Sequence, residues 1–222
     1  MRCDGSNGPM LDDRATLVSV NVGLPREVDW HRRIVTTAIF KRSIEGRIRL
    51  TTLNLAGDRQ ADLTVHGGAD KAVYCYPIEH YEYWKGDFPE RELPMGAFGE
   101  NFTTRGLSED SVHVGDRFAV GSAELVVSQP RMPCYKLGVR FESDAMVKRF
   151  LASGRTGFYV AVTREGDVGA GDEITVLSRD PNRVSITELV DLYRTTQRDP
   201  LVVKRALRVE ALAQSWKDDL RQ

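Results

Sequence analysis

The chain has 222 residues, with 31 Lys and Arg against 32 Asp and Glu, and a formal net charge of −1. That length fits one large domain, or one domain with a small appendage, and the charge balance argues against a nucleic-acid polymer or a membrane surface as partner. No stretch approaches the roughly 20 apolar residues that a spanning helix needs, and the opening "MRCDGSNGPMLDDRA" lacks the apolar centre of a secretory signal.

Residues 1–15 read as a flexible tail. From 16 to 178 the chain reads mainly as strands: "ATLVSVNV", "IVTTAIFK", "RIRLTTL", "KAVYCY", "RFAVG", "AELVVS", "GFYVAV" and "DEITVL" are short and rich in Val, Ile, Thr and aromatics. Gly-Asp and Gly-Ser pairs punctuate them, and "RFAVGSAELVV" reads as a tight hairpin turning at Gly121. Many short strands with hairpin turns predict a barrel or a sandwich. Two helices interrupt the strands. "PIEHYEYWKGDF" places Pro77 in a first turn, and "SDAMVKRFLASG" stops at Gly154.

From 179 to 222 the period changes to helical. Ser185 and Glu188 have capping-box spacing, and Ile186, Leu189, Val190 and Tyr193 fall on one face. Asp199-Pro200 starts a second helix. Val209, Leu212, Ala213 and Trp216 stripe a third. Helices this short are not stable alone, so they are expected to pack as a small three-helix appendage. The fold class is therefore mostly β with helices, an α+β chain.

Cys3, Cys75 and Cys134 show no CxxC and no Cys/His zinc spacing. A disulfide framework is not expected, and a reducing cytoplasm fits. Cys75, inside "AVYCYP", reads as core. Cys134, in "QPRMPCYKLG", is either a buried thiol at a strand end or a reactive one. Arg131 and Lys136 supply positive charge, which favours the thiolate, the form that acts as nucleophile and soft-metal ligand. Pro130 and Pro133 stiffen the segment.

Three further segments carry candidate chemistry. In "DLTVHGGADKAVY", His66, Gly67, Gly68 and Lys71 either form an ordinary turn or present bare N–H groups and a cation to an anion. The Walker spacing is absent, so this is not a P-loop. In "GAFGENFTTRG", Asn101 and Thr103 either face outward from a glycine-kinked strand or hydrogen-bond a heterocycle. In "IFKRSIEGRI", Lys41 lies at a strand end, solvated or facing a ligand.

Together these segments resemble the MOSC family, named for the C-terminal domain of molybdenum cofactor sulfurase, and within it the bacterial YiiM-like branch. The matching pieces are "AIFKRSIEGRI", "LNLAGDRQADLTVHGGADKAVYCYP", "GAFGENFTTRGL", "VHVGDRF" and "QPRMPCYKLGVRF", over about residues 17–178, with the last helices similar to that branch's three-helix domain. At "FKRSI" the branch has a proline that this chain lacks, so Arg42 and Ser43 receive no role from the resemblance.

The resemblance implies a β-barrel that binds a molybdopterin-type molybdenum cofactor, with Cys134 as protein ligand to molybdenum. It implies reduction of N-hydroxylated compounds: hydroxylaminopurine-like bases, hydroxylamines and amidoximes. Lys41, His66, Gly67, Gly68, Lys71, Asn101, Thr103, Arg131 and Lys136 are the candidate cofactor contacts. The chain lacks a four-cysteine iron–sulfur set, so a separate reductase is the expected electron source. A non-catalytic cofactor carrier, a sulfur carrier using a Cys134 persulfide, and a scaffold that binds a partner through its helices remain as alternatives.

Overall fold

A computed structural model of the protein describes residues 15–61 and 67–222. Cys3, the expected tail up to residue 14, and His66 lie outside the described residues. The strands are β1 (Ala15–Val22), β2 (Arg26–Trp30), β3 (Arg33–Thr37), β4 (Arg42–Ser43), β5 (Arg47–Leu50), β6 (Val73–Pro77), β7 (Phe102–Arg105), β8 (Arg117–Val120), β9 (Ala123–Pro130), β10 (Phe158–Arg164), β11 (Gly166–Gly169) and β12 (Glu173–Ser178). The helices are α1 (Glu79–Asp87), α2 (Tyr135–Phe141), α3 (Ala145–Ser153), α4 (Ile186–Arg194), α5 (Pro200–Ala206) and α6 (Gln214–Leu220).

Strands pair in the order β12-β8-β9-β10-β6-β7-β1, and β1 pairs back onto β12, so the sheet closes into a barrel. Closure removes the open edges that a flat sheet would expose. β6 and β7 are parallel neighbours, joined through α1, while the other pairs around the ring are antiparallel. The β8–β9 turn needs Gly121: its φ is +55°, and a Cβ there would stand 2.3 Å from the Asp167 carbonyl oxygen.

β6 is buried along its whole length because both faces are covered. Val73 and Cys75 face the barrel interior with Phe102 and Phe158. Tyr74 and Tyr76 face a second cluster with Trp84 of α1, Leu137 of α2 and Phe150 of α3. Pro77 ends β6 instead of opening the helix, and α1 starts two residues later. Gly154 terminates α3 in the left-handed conformation.

The helices beyond residue 178 share the barrel's core. The capping box forms, with Glu188 N–H donating to Ser185 Oγ at 3.1 Å and Ser185 N–H to Glu188 Oε2 at 2.9 Å. Asp199 caps α5 through Leu201 N–H at 2.8 Å. Ile186, Leu189, Val190, Val209, Leu212, Ala213 and Trp216 join Leu125 and Val127 of β9 in one continuous apolar cluster. Tyr193 departs from the expected stripe: it is 50% exposed, its ring set against Trp216 instead of the core.

A shared core predicts one cooperative transition. Leu189→Ala should cost about 2–5 kcal/mol, and its urea unfolding should give coincident far-UV and tryptophan-fluorescence curves. Separate barrel and helix transitions would contradict a common core.

Candidate functional site

Cys134 owes its position to the end of β9. The Arg131 N–H donates to the Gly157 carbonyl at 3.2 Å, which carries the β9–β10 pairing one residue past Pro130. The chain then turns through Met132 and Pro133, and Cys134 sits extended (φ −121°, ψ 171°) as the capping residue of α2. Its carbonyl accepts the Leu137 N–H at 2.9 Å, which starts the helix. The thiol is half-buried. Cys75 is a different kind of thiol: burial alone pushes its pKa far up, so it stays protonated and inert.

Cys134 lies on the wall of a pocket that Lys41, Lys71, Asn101, Arg131 and Lys136 also line. Tyr74, Phe98 and Tyr159 add aromatic surface. Thr103 is fully buried and lies off this wall: it donates to Glu100 Oε1 at 2.9 Å and accepts from Asn21 Nδ2 at 3.0 Å. Gly68, at φ +102°, leads into the short 3-10 turn Ala69–Lys71, and its carbonyl accepts the Lys71 N–H at 3.0 Å. Gly67 stands just before it. Arg42 and Ser43 form β4 against the end of β1, with Ser43 Oγ donating to Asn21 Oδ1 at 2.9 Å.

Two candidate contacts are held by a residue that the sequence reading passed over. Lys41 Nζ is 2.6 Å from Asp58 Oδ1, and both side chains are nearly buried. Asp58 also accepts from Gly23 N–H at 2.7 Å and from Asn101 Nδ2 at 2.9 Å. Asn101 in turn accepts the Tyr74 N–H through Oδ1 at 3.2 Å. Asp58 thus fixes the Lys41 and Asn101 side of the pocket. In sequence it was one half of a Gly-Asp turn pair. Tyr74 and Tyr159 were equally hidden, as aromatics in ordinary strand patterns.

Arg131 is 5% exposed. Its guanidinium lies 5.3 Å from the Tyr74 ring centre and 5.1 Å from that of Phe150. Burial works against its charge, the facing Tyr74, Tyr159 and Cys134 groups favour it, and the balance moves its pKa up. Nη1 has no hydrogen-bond partner among the described residues. A buried cationic donor left unanswered costs several kcal/mol, so this pocket suits an anionic ligand.

A molybdenum cofactor fits that description. Among the described residues no group of three or more His, Cys, Asp or Glu could hold a metal ion. One cysteine sulfur on a cation-lined wall suits a soft metal carried by an anionic organic cofactor.

The loop before β7 is held by Glu100. Its buried carboxylate accepts the Gly96 and Phe98 N–H groups at 2.8 and 3.1 Å and the Tyr81 hydroxyl. Burial raises its pKa, although these donors pull the other way.

Asp58→Ala should cost about 3–5 kcal/mol in urea unfolding, because it strands Lys41 without its carboxylate; a change under about 0.5 kcal/mol would contradict this role. Glu100 has a folded pKa above its unfolded one. Its contribution is therefore most favourable below the ordinary carboxylate range and is lost as pH rises through the raised value. Urea midpoints of the wild type should fall over that window relative to Glu100→Gln, and parallel pH profiles would contradict the assignment.

Comparison with known proteins agrees with the fold. Residues 62–175 match the MOSC domain family. The chain is 38% identical to the uncharacterized protein YflK of Bacillus subtilis over 94% of both chains. It is 40% identical to the protein YiiM of Escherichia coli over 81% of both. A Gibberella moniliformis protein named "Reductase" is 34% identical over 72% of this chain and 29% of that protein. The crystal structure of YiiM from Geobacillus stearothermophilus superposes with a TM-score of 0.78 at 31% identity, covering 93% of this chain and 97% of the other. A closed barrel with a cysteine on a cation-lined pocket, matched over nearly its whole length by such relatives, belongs to the MOSC domain family, a family associated with the molybdenum cofactor.

Proposed function

We propose that the chain is a molybdenum-cofactor-dependent reductase of N-hydroxylated compounds, with Cys134 as the protein ligand to the metal. The observation that carries this reading is the shared wall of the half-buried Cys134 thiol and the buried Arg131 guanidinium, whose Nη1 has no hydrogen-bond partner among the described residues. The relative named "Reductase" supports the same reaction class.

The reaction breaks one N–O bond: R–NHOH takes up two electrons and two protons and yields R–NH2 and water. Side chains cannot supply that electron pair, so the bound cofactor supplies the two-electron exchange. The chain's own residues bind and orient. Arg131, Lys71 and Lys136 face the pocket and would hold the anionic parts of the cofactor, each charge-assisted hydrogen bond contributing about 1.5–3 kcal/mol. Tyr74, Phe98 and Tyr159 offer apolar surface to its flat ring system. Lys41 keeps its charge on Asp58 and shapes the wall. The electrons come from a separate reductase, in keeping with a cytoplasmic protein. Among the described residues no helix is long and apolar enough to cross a membrane.

The test uses protein from a host that makes the cofactor, with reduced methyl viologen as electron donor and benzamidoxime as substrate. Benzamidine and oxidised viologen should form in a 1:2 ratio, as two electrons per N–O bond require. Turnover should vanish in Cys134→Ala while the urea midpoint holds. Lys71→Ala should lower cofactor retention about tenfold, the loss of one charge-assisted contact. Cofactor bound at full occupancy without any turnover would instead make the chain a carrier.

A further inference from the structure

Cys134 borders a second cleft of about 350 Å³. This cleft shares Cys134, Lys71, Met132 and Tyr159 with the first pocket, but its other wall comes from the C-terminal helices. Tyr193 of α4 and Trp216 and Asp219 of α6 form that wall. The thiol therefore stands where a cation-lined pocket meets an aromatic one.

Of the two rings in this wall, Trp216 is 7% exposed and packs into the core, whereas packing does not explain Tyr193. Ile186, Leu189 and Val190 of α4 are sealed in the core, yet Tyr193 on the same face is 50% exposed. Its ring lies 6.1 Å from that of Trp216, tilted by 53°. The exposed Tyr193 ring offers the cleft a face on which a third flat ring can stack, with Trp216 packed behind it. Below them Asp219 is fixed in place: Arg198 donates to its Oδ2 and to its carbonyl oxygen, each at 2.7 Å. Its Oδ1 has no hydrogen-bond partner among the described residues and can accept from a ring N–H or amino group.

Resting on the reductase reading, we propose that this cleft is the substrate berth. It selects flat aromatic N-hydroxylated compounds, with the ring against the exposed face of Tyr193 and the N–OH group toward Cys134. The C-terminal helices then set substrate preference, while the barrel holds the cofactor. Small aliphatic N-hydroxy compounds reach Cys134 without using Tyr193.

The experiment compares benzamidoxime with acetamidoxime, which carry the same reducible group on an aromatic and on a methyl carbon. Calorimetry on the holoenzyme without electron donor measures binding alone. Tyr193→Ala should weaken benzamidoxime about tenfold, the size of one lost stacking contact, and leave acetamidoxime unchanged. Tyr193→Phe should restore the affinity. With donor present, the Tyr193→Ala defect should appear in KM for benzamidoxime, with kcat retained. Unchanged benzamidoxime binding in Tyr193→Ala, or equal weakening of both compounds, overturns the berth. Binding that follows Tyr193 without any reduction upholds the berth and overturns the reductase reading.

Discussion

A guanidinium removed from water must be answered, and Arg131 is answered here by aromatic faces. Taking such a charge out of water costs several kcal/mol unless something replaces the lost hydration. Tyr74 and Phe150 supply their ring faces, and Tyr159 approaches from β10. One donor, Nη1, is left over among the described residues. Arg131 stands three residues before Cys134 and lines the same pocket. Under the proposed function, an anionic group held by Arg131 and a metal bound by Cys134 would be parts of one cofactor.

The barrel makes this arrangement possible by covering β6 on both faces. Its inward side chains build the closed core, and its outward Tyr74 reaches Arg131. The end of β9 then feeds directly into Cys134 and α2, so two pairing strands and a helix start aim the thiol. The C-terminal helices anchor in the same core and reach the opposite side of the thiol. Here Ala213 N–H donates to the Ser128 carbonyl of β9 at 3.3 Å.

The strands of the barrel were legible because β-branched runs ended at glycine turns such as Gly121. Helices α4 and α5 were legible because Ser185, Glu188, Asp199 and Pro200 are placed as caps require. α2 was not: it has seven residues, a glycine in the middle, and no capping side chain. The β2–β3 hairpin was also hidden, because its tip uses His31 and Arg32 at φ +52° and +61° where a glycine would have signalled the turn. In the site, Cys134, Arg131, Lys71 and Lys136 were legible as chemistry that gathers near one stretch or turn. The Lys41–Asp58 pair was not, since only folding brings together residues with no shared motif. Thr103 was read as a contact because of its residue type, but its hydroxyl serves Glu100 and Asn21 inside the fold.

The central claim is that Cys134 contributes a sulfur to a pterin-borne metal, and X-ray absorption at the molybdenum edge measures it directly. Freshly purified wild-type protein should contain molybdenum and pterin in equal amounts, with a sulfur shell one atom larger than in Cys134→Ser holding the same cofactor. An identical sulfur count in the two proteins, or full pterin without any metal in the wild type, would contradict the account.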